Sequence, residues 1–166
     1  RFQMQNDRLS KRVPERERNT MLNNAGMKVW NQKKDLLSSL WVFMSLNYIL
    51  CDVLTNMESS VLKGLIDGNA GGIEMNQGFL LAAGISLEIP FLMVVLAKVL
   101  PGKVNRIVNI ITAILMAVYQ AGSFFAGSAP SLHYIFFSVI EVLGCVSIAC
   151  LAWKMPEPSP NTRISA

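Results

Sequence analysis

The sequence predicts an all-α fold, an antiparallel four-helix transmembrane bundle with both termini cytoplasmic. Three observations predict it. Four apolar runs, over about 36–57, 77–100, 106–127 and 132–153, each reach the roughly 20 residues that a helix needs to cross a bilayer. Only 16% of the 166 residues are charged, against about 25% in soluble domains. Most of the charges also fall outside the apolar runs, with the basic ones concentrated before the first run, around the connection between the second and third, and after the fourth. The first loop is acidic, with Glu58, Asp67 and Glu74 against Lys63, and the third connection carries no charge. Basic residues stay on the cytoplasmic side, so the chain starts and ends there.

Residues 1–35 form a basic arm that includes Arg8, Lys11, Arg12, Arg16 and Arg18 and has no apolar periodicity. They lack the apolar core of a cleaved signal peptide. Met27-Lys28-Val29-Trp30 reads as a natural start just ahead of the first span. Two readings of residues 1–26 stay open: a segment from an upstream or non-native start, or a native cytoplasmic arm lying as a short amphipathic segment against anionic lipid.

Span 1 (36–57) follows Lys33, Lys34 and Asp35 and contains Asn47 and Asp52. Helical spacing places Trp41, Ser45, Tyr48 and Asp52 on one face, and such a stripe should face protein rather than lipid. The loop 58–76 holds the breakers Asp67-Gly68-Asn69-Ala70-Gly71-Gly72, preceded by a short helix over 61–66. Span 2 (77–100) carries Glu88 and Pro90 near its middle and stops at Pro101-Gly102-Lys103. Span 3 (106–127) has a polar or small face of Asn109, Thr112/Ala113, Met116/Ala117 and Gln120, with Ala113, Ala117 and Ala121 as a ridge for close packing. A tight turn, 127–131, leads to span 4 (132–153). That span opens with His133-Tyr134, places Glu141 at mid-depth and ends at the interface anchor Trp153-Lys154. The tail 156–166 is proline-rich.

Three acids thus lie inside apolar runs: Asp52, Glu88 and Glu141. An aspartate at mid-bilayer costs about 2.5–3.5 kcal/mol on insertion scales, so these positions are candidate sites. With the topology above, Asp52, Gln120, His133 and Tyr134 form an outer layer, and Asn47, Glu88 and Glu141 a middle layer. All face one interior if the polar faces converge, giving a polar pocket that opens toward the outer side. Tyr134, Ser138, Glu141 and Cys145 share one face of span 4, and Gly84, Glu88 and Leu92 one face of span 2. No basic residue lies at mid-depth to pair with the acids, so they are protonated or meet a cation or polar ligand.

Several classes are excluded. The basic residues flank membrane spans, so no nucleic acid partner is expected. Cys51, Cys145 and Cys150 make no C-x-x-C pair, which argues against thiol redox chemistry. One histidine with scattered acids gives no metal site, and no cofactor motif is present.

The segments Leu40-Trp41-Val42-Phe43 with Asn47 and Asp52, Glu88-Ile89-Pro90, Asn105-Arg106-x-x-Asn109-Ile110, Tyr134-x-Phe136-Phe137-Ser138-Val139-Ile140-Glu141 and Ala152-Trp153-Lys154 resemble a family of small bacterial four-span membrane proteins of unknown function. The likeness covers about 36–155. It implies the topology and a bacterial inner membrane, and carries no activity.

The expected function is therefore binding of a small, largely apolar ligand through its cationic or polar group, or proton-linked transport, by Asp52, Glu88 and Glu141 with Asn47, Gln120, His133 and Tyr134. A chain this small would form a transport path as a homodimer. One alternative is a membrane-embedded enzyme on a lipid-like substrate, with Glu88 or Asp52 as acid/base assisted by His133 or Tyr134. The other is a structural subunit whose acids pair with a partner's basic residue.

Overall fold

The computed structural model describes residues 14–70, 72–124 and 130–155. The first thirteen residues of the arm, most of the 127–131 turn and the tail beyond Met155 lie outside them. Among the described residues the fold is all-helical apart from one hairpin of two two-residue strands. Four of its helices are long and apolar enough to cross a membrane, as in a multi-pass membrane protein.

Helix α1 (Glu15–Asn56) is the longest at 42 residues. Its start departs from the expected boundary at residue 36. Just over half of the segment 15–35 is Glu, Arg, Lys, Met, Leu, Ala or Gln, all good helix formers, and no proline interrupts it after Pro14. Polar composition therefore did not end the helix; it only left that stretch exposed. At 1.5 Å per residue the helix spans roughly 63 Å, about twice the hydrocarbon thickness. The short α2 (Ser59–Ile66) follows. Strands β1 (Asn69–Ala70) and β2 (Ile73–Glu74) then pair antiparallel. Gly68 and Gly72 take positive φ at the hairpin, at 74° and 95°, and the Asn69 side chain accepts from the Gly72 N–H at 2.6 Å.

Helix α3 (Gln77–Val99) begins at Asn76, whose side chain accepts from the Phe79 N–H at 2.9 Å. This satisfies one of the orphan donors of the first turn. Helix α4 (Gly102–Ser123) begins and ends about four residues before the sequence-based bounds, and α5 (Leu132–Trp153) matches its bounds.

Helix α1 packs against α3 and α5, and α5 packs against α4. Buried at the centre are Leu37, Trp41, Met44, Met93, Ala97, Met116, Ile148 and Ala152. The α1–α5 contact is close because position 144 is glycine: a Cβ there would overlap the Met44 sulfur. The perimeter is apolar, with Leu46, Leu50, Ile111, Leu115, Val118, Leu143 and Val146 all exposed. A water-soluble monomer rarely shows apolar surface on this scale, and a membrane-spanning one requires it.

One end of the bundle is basic and held by lysines of α1. Lys33 donates to the carbonyl of Lys154, and Lys34 donates to that of Lys98 at 2.9 Å. These carbonyls stand at the C-terminal ends of α5 and α3, where cations meet the negative end of the helix dipole. Partial burial holds the Lys34 pKa below the usual lysine range. Asp35 and Lys98 are 3.8 Å apart, and Arg106 lies over the Trp153 ring at 4.6 Å.

Candidate functional site

The buried face of α1 runs through Leu37, Ser38, Trp41, Met44, Ser45, Tyr48 and Cys51. It follows the expected stripe as far as Tyr48. One residue is a turn of 100° on a helix, so Cys51 continues the buried face and Asp52 is exposed beside it. On α5, Ser138, Glu141, Gly144, Cys145 and Ile148 are buried. On α4, the predicted face is buried at Asn109, Ala113, Met116 and Gln120 and extends back to Asn105. Ala121 of the expected ridge is exposed and Ala117 half-buried.

Glu141 is the one of the three acids that is buried. It is 1% exposed, and neither carboxyl oxygen has a hydrogen-bond partner among the described residues. The Tyr48 hydroxyl is also buried with no hydrogen-bond partner by geometry among the described residues. Tyr48 and Cys51 of α1 and Ser138 and Cys145 of α5 are buried as well. The group draws on facing turns of α1 and α5. An unpaired polar group this deep costs about 1–3 kcal/mol, more if charged.

A second set of polar groups closes on itself at the α4–α5 contact. Gln120 donates to the Ser138 hydroxyl at 2.6 Å, and Ser138 donates to the Tyr134 carbonyl at 2.7 Å. The Tyr134 hydroxyl donates to Ser123 at 2.5 Å, and Ser123 returns to the Gln120 carbonyl at 2.6 Å. Gln120 and Tyr134 therefore meet, as members of a satisfied ring. Asn47 bonds within its own helix, to the Phe43 carbonyl at 2.9 Å. His133 lies 3.3 Å from the Thr55 hydroxyl and 3.1 Å from that of Ser131. Among the described residues, no three His, Cys, Asp or Glu side chains are grouped to hold a metal ion.

Glu88 does not join Glu141. It is exposed on α3, together with Gly84 and Leu92; the helix buries the opposite face, at Pro90, Met93 and Ala97. The expected middle layer thus separates, with Glu141 inside and Glu88 on the perimeter. The lone acid of α3 does not mark its inward face. On a helix apolar all round, the proline and the small residue marked it instead.

Tyr48 and Cys145 were legible only as members of helical stripes, and nothing in their spacing alone marked them as neighbours of Glu141. A further buried chain was missed. Trp41 donates to Asn109 at 2.7 Å, Asn109 to the Asn105 side-chain oxygen at 2.6 Å, and Asn105 to the Ala97 carbonyl at 2.7 Å. The i, i+4 pair of asparagines in an apolar helix was the available signal.

No curated protein and no solved structure matches the chain. Residues 27–158 match the Family of unknown function (DUF6326). The matched region takes in the apolar part of all four long helices and every polar group around Glu141, and the chain belongs to this family.

Proposed function

We propose that the chain is an antiparallel four-span protein of the bacterial inner membrane, with both termini cytoplasmic. We further propose that Glu141 binds a proton, or the cationic or polar group of a small, largely apolar ligand, in proton-linked transport. The observation that carries this reading is the buried Glu141 carboxyl with no hydrogen-bond partner on either oxygen among the described residues. A carboxyl retained only to hold helices together would be expected to bond a neighbouring helix, as Gln120 does with Ser138. The Tyr48 hydroxyl, also unpaired, would donate to the same bound group.

The orientation rests on the basic end, with Lys33, Lys34, Lys98, Lys103, Arg106 and Lys154, against the acidic first loop. Contacts between Lys34 and Lys98, Ser38 and Val94, and Thr55 and His133 support the antiparallel sense. The enzyme reading draws less support. The Tyr134 hydroxyl is committed to Ser123 and Glu88 is apart from the other groups.

The test is binding of tetraphenylphosphonium, a lipophilic cation, to the purified protein in detergent by equilibrium dialysis. Saturable binding that is lost in Glu141→Gln and kept in Glu88→Gln supports the site. Binding unchanged by Glu141→Gln, or no saturable binding by the wild type, overturns it.

A further inference from the structure

Helices α4 and α5 have 22 residues each. At 1.5 Å per residue they are about 33 Å long, close to the hydrocarbon thickness of about 30 Å. The start of α4 and the close of α5 meet at one end of the bundle, where Arg106 lies over the Trp153 ring. That end therefore stands at the level of the lipid headgroups. Among the described residues it carries Lys33, Lys34, Lys98, Lys103, Arg106 and Lys154 against one acid, Asp35.

Three of these cations are engaged within the chain. Lys33 and Lys34 donate to the carbonyls of Lys154 and Lys98, and Lys98 pairs with Asp35. Arg106 differs. Its guanidinium is 4.6 Å from the centre of the Trp153 ring and makes no hydrogen bond or ion pair among the described residues. Contact with a ring holds a guanidinium in place and leaves its N–H groups unspent. Their fork matches phosphate oxygens two at a time. Trp153 is 67% exposed, and its indole N–H has no partner among the described residues.

The surroundings select among phosphate sources. Deeper along the same two helices, Ile107, Ile111 and Val146 are exposed and apolar. A phospholipid meets both the donors and this apolar flank, whereas a free phosphate meets the donors alone. A zwitterionic headgroup would bring its own ammonium against a strongly basic end. A headgroup with net negative charge is drawn to it.

We propose that Arg106 and Trp153 hold the phosphate of an anionic phospholipid at the α4–α5 rim. The guanidinium and the indole N–H donate to its oxygens, Lys103 and Lys154 add charge beside it, and its acyl chains lie along Ile107, Ile111 and Val146. This rests on the helices spanning a bilayer and is independent of the Glu141 site.

The experiment uses full-length chain carrying Trp30→Phe in phosphatidylcholine nanodiscs. Part of the lipid is replaced by phosphatidylglycerol or phosphatidylcholine bearing a nitroxide near the top of one acyl chain. Trp41 is fully buried, so quenching of tryptophan fluorescence reports lipid at Trp153. Phosphatidylglycerol should bind about tenfold more tightly than phosphatidylcholine, and Arg106→Gln should lower that ratio about fivefold. Lys98→Gln removes a cation that already has a partner and should change the ratio by less than about twofold. Equal quenching by the two lipids, read without any substitution at Arg106, overturns the proposal. So does an equal loss in Arg106→Gln and Lys98→Gln, which marks a diffuse surface field and not a site. A preference abolished by inorganic phosphate at constant ionic strength assigns the donors to a free anion and overturns it as well.

Discussion

Trp41 on α1 donates its indole N–H to the carboxamide oxygen of Asn109 on α4 at 2.7 Å, and both side chains are fully buried. Asn109 in turn donates to Asn105, and Asn105 to the Ala97 carbonyl of α3. Ala97 lies in the last turn of α3, whose carbonyls have no partner within the helix. One relay of side chains thus ties three helices and caps one of them. Trp41→Phe keeps the aromatic volume and deletes the donor, leaving the Asn109 oxygen buried without a partner. A loss of about 1–3 kcal/mol in unfolding free energy follows. Denaturation in mixed micelles followed by circular dichroism measures it. Trp41→Phe and Asn109→Ala should together cost less than the sum of the two; strict additivity would mean that the bond contributes nothing.

Gly144 makes a second prediction. Met44 is fully buried where a side chain at 144 would project, so Gly144→Ala overpacks the α1–α5 contact by about 1–3 kcal/mol. Met44→Ala alone opens a cavity and costs about 2–5 kcal/mol. Combined, the new methyl fills part of that cavity, and the double variant should be more stable than Met44→Ala alone. Thermal unfolding of the four proteins decides it, and a double variant no better than Met44→Ala removes the contact from the account.

The four long apolar helices were legible because hydropathy and length are summed over about twenty residues, so single exceptions do not disturb them. The faces of α4 and α5 were legible for a related reason: Asn109, Gln120, Ser138 and Glu141 stand out against apolar neighbours at helical spacing. Two things were not legible. The continuation of α1 back to Glu15 depends on the absence of proline from the stretch, which leaves no positive signal. The direction of Glu88 depends on which side of α3 meets α1, and a uniformly apolar helix does not encode that in its periodicity. Pairing across helices is also invisible in one sequence, which is why Tyr48 entered as a stripe residue and emerged as a neighbour of Glu141.

The closed ring at the α4–α5 contact predicts unequal effects within it. Gln120→Leu removes the donor to Ser138 but leaves the Ser138 hydroxyl its bond to the Tyr134 carbonyl. Tyr134→Phe leaves Ser123 with its bond to the Gln120 carbonyl. Each should cost about 0.6–2 kcal/mol, the range of interhelical hydrogen bonds in membranes. Neither should change tetraphenylphosphonium binding by more than about threefold, which corresponds to less than 1 kcal/mol. Loss of binding in Tyr134→Phe with stability intact would move Tyr134 out of the scaffold and into the site.

Glu141 separates binding from folding most directly. A structural acid is missed when it is removed, because its partners lose a bond. Glu141 has no such partner among the described residues, so replacing it with a side chain of similar size removes a buried polar group and leaves none of them without a bond. Glu141→Leu should be neutral or stabilising in unfolding, as replacement of unsatisfied buried polar groups can be, while cation binding is lost. The pH dependence has a definite sign. A cation favours the ionised carboxyl, so protons compete with it. Affinity should rise with pH, by up to about tenfold per unit, until the carboxyl in the free protein is ionised, and then level off. In Glu141→Gln the slope should vanish. A Glu141→Leu variant that unfolds several kcal/mol more easily than wild type would instead show the carboxyl bonded within the bundle, and the binding reading would fall with it.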